Sequence, residues 1–164
     1  MVSSVPAWTS RRSRRETHSS SKDGGFAGIP RARITTPLIA AVEGCALGGG
    51  TEMALACDMV VAARDATFSQ IDVHYGIVSP EGGMVRLPER IPRNIALELA
   101  ALVVRNAPPA VAAVKRVVTE RTAFRDEDAF VEQDRIVAPV LGSHDAKEGA
   151  RAFTERRSPL WQGR

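Results

Sequence analysis

The sequence predicts an α/β fold, a βαβ core followed by a run of helices, on three observations. Two short apolar runs, 37–42 (PLIAAV) and 59–63 (MVVAA), have the length and composition of buried strands. Between them stand three consecutive glycines, Gly48, Gly49 and Gly50, followed by helix-forming Met53, Ala54, Leu55 and Ala56. After Pro92, apolar residues recur mostly at helical spacing. Strand, helix and strand in this order form a right-handed unit that leaves the two strands parallel.

In chain order, residues 1–25 are Ser-rich and carry Arg11, Arg12, Arg14 and Arg15, with little apolar periodicity, and read as a disordered basic tail. The same composition fits an organellar transit peptide or a mis-called start, and the apolar run of a secretory signal is missing. Thr35 or Thr36 with Pro37 opens the first strand, 38–43. The glycine helix starts at Gly49 or Gly50. Strands over 59–63 and 66–69 come next, and one short, mainly parallel sheet is expected to carry all three. Residues 76–83 form a loop with a proline and three glycines. A short helix is expected over 84–88. Longer helices are expected over 92–104, with Ile95, Leu97, Leu99 and Leu102 on one face, and over 110–122, with Val111, Val114, Val117 and Val118. Two more are expected over 126–141 and 145–156, the latter capped by Ser143 or Asp145. The domain organisation read from this is a tail (1–25), an α/β core (26–105) and a helical region (106–164).

The chain of 164 residues is long enough for one real core, and no window approaches the apolar length of a membrane span. The net charge of +3 belongs to the tail: residues 1–33 hold seven Lys/Arg against two Asp/Glu, the remainder fifteen against seventeen. A domain that is itself slightly acidic argues against a nucleic-acid partner, for which a basic face would be needed. Cys45 and Cys57 make neither a disulfide framework nor a zinc pattern and read as small buried fillers in a reducing compartment. His18, His74 and His144 have no metal spacing, and 44–50 lacks the Gly-Lys-Ser/Thr ending of a phosphate loop.

The glycine stretch carries the candidate chemistry. Glycine lets backbone approach a ligand closely, and the first turn of a helix offers unpaired N–H groups at the positive end of its dipole. Such a place suits a developing oxyanion, with the Glu52 carboxylate beside it. A tightly packed structural turn, with Glu52 as a helix-start charge, is the plainer reading of a glycine triplet taken alone.

Taken with the residues on either side of it, from Ala40 to Leu87, the stretch resembles the crotonase, or enoyl-CoA hydratase/isomerase, superfamily. The matches in order are Ala40-Ala41-Val42, Gly44, Ala46 to Gly50, Glu52, Cys57-Asp58, Ala66 and Phe68, Gln70 and Asp72, Gly76, Gly82-Gly83 and Arg86-Leu87. The resemblance covers about 25–100 well and the segment from Asn106 more loosely, where HDAKEGARAFTERRSPLW is similar to the family's C-terminal motif. Two departures stand out. The strands that precede the glycine loop in the family have no counterpart here, and two family helices are joined into one around 96–104, as by an internal deletion.

What the resemblance implies is a truncated crotonase-type domain acting on 2-enoyl thioesters of coenzyme A. Hydration needs a base to activate water, an acid to protonate the α-carbon, and donors for the enolate oxygen. The resemblance assigns the base to Glu52, the acid to Asp72 and one oxyanion N–H to Gly49. Ala46, Leu47, Gly48, Gly50, Pro80 and Gly82 are assigned to substrate binding, and Phe153, Arg156 and Arg157 to the nucleotide part of coenzyme A. Two carboxylates in one partly dry pocket are expected to raise the pKa of one of them. Asp72 stands where hydratases usually carry glutamate. Pro80, replacing a small residue, removes an N–H that would hold water. The family's second oxyanion donor, from an A-G-x-D loop, is absent, since Phe26-Ala27-Gly28-Ile29 lies too close to the strand and lacks the acid.

The family further implies no cofactor beyond the coenzyme A of the substrate, no membrane partner, a cytoplasmic place in fatty-acid oxidation, and a homo-oligomer, a trimer or dimer of trimers. The alternatives are a catalytically inactive homologue that keeps subunit-binding surfaces, an acyl-CoA-binding module, and, within the family, an isomerase or dehydratase. Two carboxylates favour a hydratase over isomerases that commonly use one.

Overall fold

The computed structural model describes residues 20–21, 24–101 and 106–164, so most of the expected tail and the end of the helix expected over 92–104 lie outside the description. The chain forms two compact units. One runs up to Gln70 and includes Glu81–Gly83; the other comprises Ile71–Pro80 and Met84–Arg164.

In the first unit, β1 (Ser20–Ser21) pairs antiparallel with β2 (Gly25–Phe26). Strand β3 (Ile39–Val42) runs parallel to β5 (Met59–Ala62), with Ile39 opposite Met59 and Val42 opposite Ala62. Strand β4 (Cys45–Leu47) runs parallel to β6 (Thr67–Ser69). Helix α1 (Gly49–Ala56) connects both pairs. The core is thus two interleaved crossovers, and the expected single sheet is corrected: β6 pairs with β4, which the sequence reading placed inside the glycine loop. Three residues are too few to show the two-residue strand period. What makes them a strand is long-range: Gly44 turns the chain at φ 77°, and the Thr67 and Gly48 N–H groups donate to Gly44 O and Ser69 O, both at 2.8 Å. Cys45 is exposed and accepts a hydrogen bond from Thr67 Oγ1, so only Cys57 is the buried filler expected of both. Strands β3 and β5 leave Ile39, Met59 and Val61 more than half exposed.

The second unit is helical. A 3-10 turn (Ile71–Tyr75), unforeseen in the sequence, precedes α2 (Gly83–Arg90), α3 (Arg93–Ala101), α4 (Pro108–Glu120), α5 (Ala129–Leu141) and α6 (His144–Glu155). Helix α2 is longer than the expected 84–88 and keeps Pro88 inside, two residues from its end. Helix α4 begins on Pro108 and Pro109, where a missing N–H costs nothing. Its Val114, Val117 and Val118 pack with Ile136, Val137 and Val140 of α5 and with Met84 and Val85 of α2 into one core. On α3 the expected face is met in part: Leu97 packs against the core, but Ala96 beside it is fully buried and Ile95 is 39% exposed, while the side chains of Leu99 and Leu102 lie outside the description.

Two glycines let α6 lie directly against the 3-10 turn. A Cβ on Gly149 would stand 2.0 Å from Tyr75 O, and one on Gly76 2.5 Å from Asp145 O. Ser143 is the cap of α6, its Oγ accepting the Ala146 N–H at 3.0 Å. Asp145, fully buried, instead holds the chain end: Oδ1 accepts the Gln162 N–H at 2.8 Å and Oδ2 the Gly163 N–H at 2.9 Å. A second clamp is Glu148, which takes the Arg157 guanidinium through both oxygens (2.5 and 3.0 Å) and the Leu160 N–H at 2.9 Å.

The Arg157 guanidinium, and after it the Leu160 N–H, hold the Glu148 carboxyl down from 4.5 to about 2. A depressed folded value means that the unfolded chain takes up the proton first. The stability contributed by this clamp is therefore complete above pH 4.5 and is lost as the pH falls towards 2. Hydrogen-exchange protection of the Leu160 amide, which Glu148 accepts, is expected to fall across that window. Glu148→Gln should remove the pH dependence while lowering protection throughout; an unchanged profile in that variant would refute the assignment.

Candidate active site

The glycine loop is built by hydrogen bonds that end on two strands. Gly48, at φ 50° and ψ −118°, occupies backbone space that glycine enters without a Cβ penalty, and this aims the chain from β4 into α1. Thr51 Oγ1 donates to Ala46 O (2.6 Å) and to Ser69 O (3.0 Å), tying the first turn of the helix to both β4 and β6. Thr51 is thus the anchor of the loop, a role the sequence reading missed; a threonine directly after a glycine triplet was the available signal. The first intrahelical bond runs from the Glu52 N–H to Gly48 O at 3.1 Å. The N–H groups of Gly49 and Gly50 precede that ladder. The ring of Phe26 lies against Gly49, where a Cβ would stand 3.2 Å from its Cδ1.

Glu52 is 1% exposed. Its Oε1 accepts two backbone N–H groups, from Glu81 and Gly83, each at 2.9 Å. Gly82 between them is buried at φ 94°. The loop after Pro80, which loses one N–H to that proline, therefore spends two others on orienting the carboxylate. Glu81 in turn pairs with Arg31 at 3.2 Å. Gly83 has no room for a side chain, since its Cβ would meet Gln70 Nε2 at 2.5 Å and Glu52 Cγ at 3.0 Å.

This unit also has a pocket of about 180 Å³ under β3, lined on the helix side by Gly50, Met53, Ala54 and Cys57. Those positions share one face of α1, and Glu52 projects from the other. The pocket is separate from the carboxylate site.

In the second unit, Asp72 lies on the 3-10 turn and accepts a hydrogen bond from the Ser79 hydroxyl through Oδ2. Burial pushes the Asp72 carboxyl above its usual range, while the Ser79 hydroxyl and the backbone at Asp72 pull the other way. The cause is burial, where the sequence suggested a neighbouring carboxylate. Pro80 offers its carbonyl to Gln133 Nε2 at 2.5 Å. Phe153 stacks edge-on against Tyr75, with centroids 5.1 Å apart, tying α6 to the turn that bears Asp72. Arg156 is exposed in the left-handed conformation that ends α6. Arg157 is committed to Glu148 and Glu155. His74 is exposed. Among the described residues no group of three or more His, Cys, Asp or Glu could hold a metal ion, and no helix is long and apolar enough to cross a membrane.

Of the residues singled out in the sequence, the first unit thus gathers Ala46, Leu47, Gly48, Gly49, Gly50 and Glu52 around the start of α1, with Gly82 in the loop that holds the Glu52 carboxylate. Asp72, Pro80, Phe153, Arg156 and Arg157 belong to the second unit.

Interleaved parallel strand pairs around a glycine-opened helix, with a buried carboxylate held by loop amides, define an α/β domain of the crotonase class. Residues 29–103 match the enoyl-CoA hydratase/isomerase family. Carnitinyl-CoA dehydratase of Proteus mirabilis (strain HI4320) is 34% identical over 180 residues, taking in 86% of this chain and 69% of the relative. The enzyme of the same name from Shigella flexneri is 35% identical with the same coverage. An alignment longer than the 164-residue chain means that the relatives carry residues this chain lacks inside the matched stretch. Among solved structures, carnitinyl-CoA hydratase from Mycobacterium avium superposes with a TM-score of 0.66 at 33% identity, over 87% of this chain and 69% of that one. Carnitinyl-CoA dehydratase from Mycobacterium avium 104 gives 0.62 at 34%, over 87% and 70%. The chain belongs to the enoyl-CoA hydratase/isomerase family, the crotonase superfamily.

Proposed function

We propose that the protein adds water to, or removes it from, an acyl group carried as a coenzyme A thioester. The reaction interconverts a 2-enoyl and a 3-hydroxyacyl thioester. The observation that carries this reading is the fully buried Glu52, whose Oε1 is held by the Glu81 and Gly83 N–H groups. A carboxylate fixed through one oxygen presents the other as a base in a constant direction, as water activation demands. Three residues earlier, the Gly49 N–H at the start of α1 is assigned to the thioester oxygen as it gains negative charge. Asp72, whose carboxyl burial inclines to the neutral form, is assigned the proton for the α-carbon. In dehydration the same groups work in reverse.

The only carrier group this chemistry calls for is the coenzyme A of the substrate. Phe153 and Arg156 are the residues proposed to meet its nucleotide part, with Arg157, paired to Glu148 and Glu155, in a supporting place. Acyl-CoA turnover of this kind fits fatty-acid oxidation in the cytoplasm. The exposed apolar residues of β3 and β5 support a homo-oligomer.

The test is to follow loss of the enoyl-thioester absorbance with a short 2-enoyl-CoA, and its appearance from the 3-hydroxyacyl-CoA. Turnover in both directions is expected. Binding of the thioester without turnover would replace this reading with the binding-module alternative. A double-bond shift without water uptake would replace it with an isomerase.

A further inference from the structure

Asp72 is reached by one side chain that neither the sequence pattern nor the family match singles out. Ser79 is 2% exposed, and its hydroxyl donates to Asp72 Oδ2. The backbone presenting it is held on both sides. Val78 before it is fully buried in the helical core. Pro80 after it has a fixed φ, and its carbonyl takes Gln133 Nε2 from α5 at 2.5 Å. The Ile77 N–H closes the loop onto Asp72 O at 3.3 Å. The hydroxyl is therefore offered from a rigid frame to a side chain on the same ten-residue segment.

The terminal torsion of an aspartate is soft and roughly two-fold, so an unrestrained carboxyl exchanges its two oxygens freely. A hydroxyl donating to one of them makes the pair inequivalent. Oδ2 is occupied as an acceptor, and Oδ1 becomes the oxygen that carries and releases the proton.

We propose that Ser79 is a positioning residue for Asp72, holding Oδ2 so that Oδ1 alone faces the acyl group as the proton-transfer oxygen. The proposal rests on the reading of Asp72 as the proton donor in acyl-CoA hydration.

The experiment compares Ser79→Ala, Asp72→Asn and the double variant in the full chain, with a short 2-enoyl-CoA as probe. Ser79→Ala is expected to lower kcat on the order of ten- to a hundredfold, the weight of one hydrogen bond to the charge that Asp72 develops as it gives up its proton, with KM unchanged. In the Asp72→Asn background the same change is expected to have no further effect. An equal loss in both backgrounds would show that Ser79 acts on the fold and not through Asp72, and would overturn the proposal. The second readout needs no turnover: the ¹³Cγ resonance of Asp72 is expected to move in Ser79→Ala, with the other aspartate signals in place. An unmoved resonance overturns the proposal even if the parent is active. A parent without hydration activity but with a moved resonance would defeat the hydratase reading and leave the Ser79–Asp72 coupling standing.

Discussion

Glu52→Gln is expected to reduce hydration of a short enoyl-CoA by roughly a hundred- to ten-thousand-fold, the usual weight of a general base. The fold should survive. The amide oxygen can accept the Glu81 and Gly83 N–H groups just as Oε1 does now, at 2.9 Å each. The amide nitrogen that replaces the second oxygen cannot take a proton from water. Glu52→Ala is the informative contrast. It would leave two N–H groups without their acceptor in a loop where Gly82 and Gly83 are buried. Each unsatisfied donor costs about 1–3 kcal/mol, so this variant should lose stability as well as activity. Circular dichroism and thermal melts beside the kinetics separate the two effects. A Gln variant that retains most of its turnover would place the base elsewhere.

Gly149→Ala is expected to destabilise the protein by about 3 kcal/mol, with Tm lower by roughly 6–12 °C for a chain of this size. Helix propensity alone argues the other way, because alanine is better than glycine in a helix interior by about 1 kcal/mol. The contact decides the sign. The new Cβ would stand 2.0 Å from Tyr75 O, 2.4 Å from Tyr75 C and 3.0 Å from Tyr75 Cα, all backbone atoms with no rotamer to yield. Helix α6 has to withdraw from the 3-10 turn, and Tyr75 and Asp72 share that turn. Activity should fall along with stability. Gly142→Ala is the control: its Cβ would have no neighbour closer than 3.8 Å, and its backbone is already right-handed, so it should melt at or slightly above the parent. A Gly149→Ala protein that melts with the Gly142→Ala protein would refute the close-packing argument.

Where local chemistry sufficed, the sequence was a good guide. The glycine helix begins at Gly49, the two apolar runs are the parallel pair β3 and β5, and the valines of α4 face the core, with only Val111 left partly exposed. The ordered motif from Ala40 to Leu87 also identified the family. These are short-range properties, set by the freedom of glycine, by apolar runs and by periodicity.

The strand β4 was invisible because its three residues lie between Gly44 and Gly48 and read as part of the glycine loop, and the 3-10 turn because five residues carry too little pattern. More was hidden at the candidate site. No feature of the sequence says that the Glu81 and Gly83 amides hold Glu52, that Ser79 holds Asp72, or that Arg157 is claimed by Glu148. Residue types at the right spacing determined which side chains belong to the family's chemistry. Which oxygen of each carboxylate is occupied, which arginine is already paired and which glycine cannot gain a methyl were decided by the tertiary structure alone. Each depends on a partner that folding brings near, and hydrogen-bond and steric energies change over a few tenths of an ångström, a scale that no spacing along the chain encodes.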